Sequence, residues 1–199
     1  MSNDVCGHGL REGLAMSLPR LRTDETGLLV VDVQERFAPV IHEMERVVHG
    51  CVIAIRAARE LELPIYVTEQ YPAGLGKTVP EIVDVLGDAY RPTEKFSFSA
   101  CGADGLSEAI ETSRRKSLLV VGIEAHVCVM QTVLDLLDDG YDVFPVADAI
   151  SSRSPEDRSL ALDRMRVSGA TLVSTEMLLF ELLRTAKDPR FRALQKLIK

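Results

Sequence analysis

The sequence predicts an α/β domain: a three-layer, doubly wound and mainly parallel six-stranded sheet with helices on both faces. Three observations carry that expectation. Short apolar runs without polar alternation, such as Leu118 to Val121, read as strands buried on both sides. Between them lie segments whose apolar residues recur at intervals of three and four, the period of a helix packed on a sheet. No internal repeat, low-complexity tract or linker interrupts the 199 residues. One domain is therefore expected over residues 23–199, behind an N-terminal arm of residues 1–22.

The arm is polar and aperiodic. Its Cys6 and His8 have no second pair of metal ligands near them, so incidental placement is expected. The first strand runs from Leu28 to Val33 and carries Asp32 at its end, within DVQERF. The next segment places Val40, Met44, Val47, Val48, Cys51, Ile55 and Ala58 on one helical face, which makes Cys51 a core residue. His42 and His49 share a side of that helix without a carboxylate or third imidazole, and are expected to be solvated or packed. Pro64 ends the helix and Ile65 to Thr68 forms the second strand. In EQYPAGLGKTVPEI, Pro72, Gly74, Gly76 and Pro80 argue against regular structure. Loops of that length in a compact domain are usually functional. An extended piece from Arg91 to Lys95 leads into FSFSACG, and Asp104 to Arg115 reads as a helix.

The central unit follows: the strand at Leu118 to Val121, then Gly122, then a nearly all-apolar helix beginning at Cys128 and stopping at Gly140, a natural C-terminal cap. A strand from Asp142 to Val146 comes next. Pro155 to Ser168 reads as a helix, Leu172 to Ser174 as the last strand and Thr175 to Arg184 as a long helix. The basic, amphipathic tail DPRFRALQKLIK is expected to dock on the body or on a neighbouring subunit.

Composition narrows the function classes. A net charge of −7 with acids and bases interleaved argues against nucleic acid or an anionic membrane as partner. No apolar run approaches the roughly 20 residues of a membrane helix, and the N-terminus lacks a basic-then-apolar secretion pattern. The cysteines at 6, 51, 101 and 128 form no CxxC pair, which fits a reducing, cytoplasmic compartment better than a disulfide framework.

The chemistry centres on Cys128, placed where a buried strand turns into a helix. Unpaired N–H groups there favour negative charge and should ease ionisation of the thiol. A cysteine nucleophile needs a base and something to keep that base charged. Asp32 at a strand end is a candidate base, with burial raising its pKa unless a cation offsets it. Lys95, between an extended run and small and aromatic residues, is the candidate cation. His126 is the rival base, though two residues before the cysteine it should point elsewhere. No GxSxG elbow supports a serine nucleophile. A phosphate-transferring enzyme using Asp32 is disfavoured because Gln34 stands where a second acid is expected and no glycine-rich phosphate loop follows a strand. A redox sensor at Cys128 would lack a resolving cysteine nearby in sequence.

The blocks VVDVQERF, EKFSFSAC, VVGIEAHVCVMQTVLDLL and VADAISSRS, in this order, resemble the isochorismatase-like cysteine hydrolase superfamily. EQYPAGLG, GIEAHVCV and FRALQKLIK look most like its isochorismatase-domain-containing subgroup. The resemblance covers nearly all of the chain beyond the first 25 residues. It implies a catalytic triad of Asp32, Lys95 and Cys128. It also implies a non-proline cis peptide before Glu124, with backbone N–H groups of Glu124 and Cys128 serving an oxyanion, and a pocket wall at Phe37. Gln70 and Tyr71 are further candidate walls. Two departures stand out. The loop after the second strand lacks the DxH metal site of the nicotinamidases, so no metal or cofactor is expected. Ala125 replaces a threonine common in relatives at the pocket edge.

The expected function is hydrolysis of a small molecule, cleaving an amide-type C–N bond through a Cys128 thioester. The alternatives are vinyl-ether hydrolysis, as in a true isochorismatase, and a weakly active or inactive scaffold. A homodimer or larger homo-oligomer is implied.

Overall fold

The computed structural model describes residues 18–199, so Cys6 and His8 of the arm lie outside the described residues. Five strands form one sheet in the order β3-β2-β1-β4-β5, every neighbouring pair parallel. They are β1 (Thr26–Val31), β2 (Ile65–Gln70), β3 (Thr93–Lys95), β4 (Ser117–Ile123) and β5 (Asp142–Ser151). β1 and β4 are buried along their whole length, as expected for middle strands covered on both faces.

Side chains of these strands alternate between two cores. Leu28, Val30, Leu119, Val121, Ile123 and Phe144 point to one face. There they meet α1 (Met44–Glu60), α3 (Pro80–Leu86), α7 (Thr175–Leu183) and α8 (Phe191–Gln195). Leu29, Val31, Leu118, Val120 and Val143 point to the other, against α4 (Leu106–Thr112), α5 (Met130–Asp138) and α6 (Pro155–Val167). Cys51 is fully buried on α1, with Sγ 3.7 Å from the carbonyl of Ala149. Val40 lies before that helix and is exposed, so it belongs to no packed face. The C-terminal tail docks on the body through Leu194 and a Phe180–Phe191 pair with ring centroids 6.3 Å apart.

Several expectations are corrected. The sixth strand does not form: Val173 makes only an isolated bridge to Val146. Ser174 caps α7 at once, its hydroxyl accepting from the N–H of Met177, so the chain turns helical before a ladder can extend. The loop after β2 is not wholly irregular, since α2 (Pro72–Leu75) is a single turn started by a proline at its first position. The end of the supposed arm is structured: Leu21 is buried, and its N–H donates to Glu181 Oε1 at 3.0 Å. β1 stops one residue before Asp32, which takes a left-handed backbone with φ 54°.

The strand order decides where a ligand can bind. From β1 the chain steps to β2 and β3 on one side, then crosses back to β4 on the other. The carboxyl ends of β1 and β4 therefore flank the reversal point, where open α/β sheets leave a crevice. At the end of β4 a register shift and Gly122, with φ +131°, bring the backbone against β1. A Cβ at that glycine would sit 2.1 Å from the carbonyl oxygen of Val31.

Candidate active site

Three titratable side chains, carried at or just beyond the ends of β1, β3 and β4, meet at that reversal point. Val31 pairs with Thr68 in the sheet, and Gln70 pairs with Lys95. This brings Lys95 Nζ to 2.7 Å from Asp32 Oδ2, both side chains fully buried. Thr68 Oγ1 donates to Asp32 Oδ1 at 2.8 Å. The Cys128 thiol faces the same carboxyl group. Lys95 also donates to Gln70 Oε1 at 2.8 Å, to the carbonyl of Phe98 at 3.0 Å and to that of Ser97 at 3.1 Å. These acceptors surround the amine on several sides.

Burial pushes the Asp32 carboxyl above its ordinary range, and the Lys95 charge with the hydrogen bonds from Lys95, Thr68 and Cys128 pulls it partly back. The expectation of an easily ionised thiol is corrected. Burial, followed by the facing Asp32 charge, pushes Cys128 up to about 12, against a smaller opposing pull from Lys95. The helix-end field is local and modest, whereas loss of water and a neighbouring anion act on the whole charge. The proton of the resting Cys128 therefore sits on sulfur.

Cys128 does not open a regular helix. It lies in a π-helical turn, Ala125–Val129, ahead of α5. The peptide bond between Ile123 and Glu124 is cis. The N–H groups of Val127 and Val129 both donate to the carbonyl of Glu124. Those of Glu124, Ala125 and His126, among the described residues, donate to no backbone carbonyl. Thr132 braces the turn: its hydroxyl donates to the Cys128 carbonyl at 2.6 Å and accepts from the N–H of Ala100 at 2.8 Å.

The remaining candidates separate. Ala125 is fully buried beside the cysteine. The Glu124 carboxylate lies 2.6 Å from Arg153 Nε. His126 is turned away as expected, with Nδ1 2.9 Å from Ser152 Oγ and Nε2 4.0 Å from Asp157. Phe37 is half-buried and packs against the core on the α1 side. Tyr71 is 48 % exposed and stacks at a tilt on Phe96, ring centroids 5.6 Å apart. Gln70 is no simple wall, because both ends of its amide are engaged within the protein. Thr68, Thr132 and Arg153 were not legible as site residues, since only sheet order and the packing of turns place them beside Asp32 and Cys128. Among the described residues, no three His, Cys, Asp or Glu side chains gather as they would around a metal ion. No helix there is long and apolar enough to cross a membrane.

Comparison with known proteins bears on the family and the fold. The human isochorismatase domain-containing protein 2 is 42 % identical over 92 % of this chain and 87 % of its own. A Caenorhabditis elegans structure described as MAR1 ribonuclease superposes with a TM-score of 0.87 at 39 % identity, covering 90 % of this chain and 92 % of that one. The Escherichia coli YcaC structure, described as an octameric hydrolase of unknown specificity, gives 0.84 at 26 % identity over 90 % and 89 % of the two chains. The isochorismatase domain model itself matches residues 26–177, from the first strand to the start of α7, and the chain accordingly belongs to the isochorismatase family.

Proposed function

We propose that this isochorismatase-family protein is a cysteine-dependent hydrolase that cleaves an amide-type C–N bond of a small molecule. The observation that carries the reading is the buried Asp32 carboxyl, with Lys95 Nζ 2.7 Å away on one side and the Cys128 thiol on the other.

In this reading Asp32 takes the thiol proton as sulfur attacks the carbonyl carbon, because a thiol near pKa 12 cannot ionise first at neutral pH. The C–S bond forms and the carbonyl π pair moves to oxygen, where the N–H groups of Glu124 and Cys128 receive it. The tetrahedral species collapses, the C–N bond breaks, and the proton held by Asp32 leaves with the amine. Water then attacks the thioester. Asp32 accepts its proton and returns it to sulfur as the acid is released. Lys95 keeps Asp32 ionised between proton transfers.

A nucleic-acid substrate, as the description of the worm structure names, is not favoured here: 23 Lys and Arg stand against 30 Asp and Glu. We also infer a homo-oligomer, as described for the E. coli relative. The exposed Leu160 and Val167 of α6, with Met177 and Phe180 of α7, are the contact candidates, and size-exclusion chromatography tests it. A reducing compartment such as the cytoplasm would preserve the thiol.

The test is a screen of small amides, ureides and carbamates against the wild type and Cys128→Ala, read by product release and intact mass. Turnover with an acyl adduct on Cys128 is expected in the wild type, and neither in the variant. Equal turnover in the two proteins would overturn the reading.

A further inference from the structure

We propose that Gln70 is a positioning residue that holds the Lys95 ammonium against Asp32. The inference rests on the triad assignment above. An ammonium has three hydrogens, and Lys95 faces four acceptors: Asp32 Oδ2, Gln70 Oε1 and the carbonyls of Ser97 and Phe98. Its own strand is a poor anchor. β3 is a three-residue edge strand, and the loop beyond it exposes Phe96 at 77 % and Phe98 at 56 %. A more rigid element must fix the ammonium, and the end of β2 supplies it.

The Gln70 amide has one workable orientation. Its Nε2 donates to the carbonyl of Phe96 at 3.0 Å, which leaves Oε1 facing Lys95. The flipped amide would set donor against donor and acceptor against acceptor. Gln70 is fixed in turn by the buried Gln34. Gln34 Oε1 accepts from the N–H of Gln70 at 2.8 Å, and Gln34 Nε2 donates to the carbonyls of Gln70 at 3.1 Å and Gly76 at 2.6 Å. The backbone N–H of Gln34 donates to the carbonyl of Asp32 at 2.8 Å. The contacts close a ring from Asp32 through Lys95, Gln70 and Gln34 back to Asp32. The ring spans the loop after β2 and ties the ion pair to the centre of the sheet.

The titratable groups around the Asp32 carboxyl are Lys95 from β3 and Cys128 from the π-helical turn, and Glu124 just before that turn acts on Cys128. A carboxylate at position 70 would add an anion on the far side of the ammonium. It would compete for the charge that keeps Asp32 ionised.

The experiment measures the second-order rate constant for iodoacetamide alkylation of Cys128 against pH, with peptide mapping to separate it from the other thiols. In Gln70→Glu the acid limb should move to higher pH by about one unit. In Gln70→Leu, which deletes the acceptor without adding charge, the loosened Lys95 should move the limb the same way by less, and the neutral plateau should fall about tenfold, at unchanged circular dichroism. A Gln70→Glu profile that superimposes on the wild type, or a Gln70→Leu plateau equal to it, overturns the proposal. Asp32→Asn and Lys95→Met are measured alongside. If they too match the wild type, the triad assignment has failed; if they differ while the Gln70 variants do not, only the positioning role has.

Discussion

Lys95→Met should cost more stability at neutral pH than at acid pH. The side chain is fully buried and lies 2.7 Å from an equally buried carboxylate. Removing one partner of such a pair costs about 3–5 kcal/mol, because the other charge is left without compensation. A carboxyl whose folded pKa lies above its ordinary value binds its proton more readily in the native state. Its contribution favours folding below the unfolded pKa and is lost as pH rises through the folded one. Without Lys95 the folded pKa of Asp32 moves further up, so the variant's deficit against the wild type grows over the interval between the two proteins' folded pKa values. A second part of the deficit is independent of pH, since Gln70 Oε1 and the carbonyls of Ser97 and Phe98 lose their donor.

The assay is thermal unfolding of the wild type, Lys95→Met and Asp32→Asn/Lys95→Met from pH 5 to pH 8. At about 2–4 °C per kcal/mol for a domain of this size, the gap at neutral pH should be roughly 6–20 °C. It should narrow toward pH 5, and the double variant should recover part of it at neutral pH. A gap constant across the range, with a double variant no more stable than the single one, would refute the account of a charged, compensated Asp32.

Three more outcomes are expected. In the wild type, Cys128 alkylation should fall at acid pH as Asp32 protonates and stay flat through neutral pH, because the pair shares one proton that can move from sulfur to carboxylate. Asp32→Asn should lose that acid limb and rise about tenfold per pH unit; identical profiles would remove Asp32 as the base. Gly122→Ala should destabilise by about 4 kcal/mol in denaturant unfolding, since its Cβ would meet the Val31 carbonyl oxygen at 2.1 Å with φ at +131°. Thr132→Val should cost about 1–3 kcal/mol by stranding the buried N–H of Ala100, and should also slow alkylation if the hydroxyl fixes the turn that carries Cys128.

Local chemistry wrote much of this molecule into its text. The apolar runs at Leu28 and Leu118 mark middle strands because a segment covered on both faces has no polar side to show. The interval pattern from Met44 to Ala58 marks α1 and places Cys51 in the core. Asp32 stands at the end of such a run, whereas Lys95 follows RPTE and Cys128 lies six residues beyond Gly122, so it is the family resemblance that groups the three. Where the period vanishes, the reading weakens: Leu172 to Ser174 has strand composition, yet the cap at Ser174 ends it as a single bridge. Strand order is a global choice among pairings that no stretch of sequence encodes alone. It is that order which sets Thr68 against Asp32 and Gln70 beside Lys95. The ionisation of Cys128 shows the same division. Its neighbours in sequence indicate a helix end that favours the thiolate, but desolvation and the facing carboxylate come from parts of the chain 96 residues away, at Asp32, and they outweigh the local field because electrostatic energy depends on distance in space and on access to water.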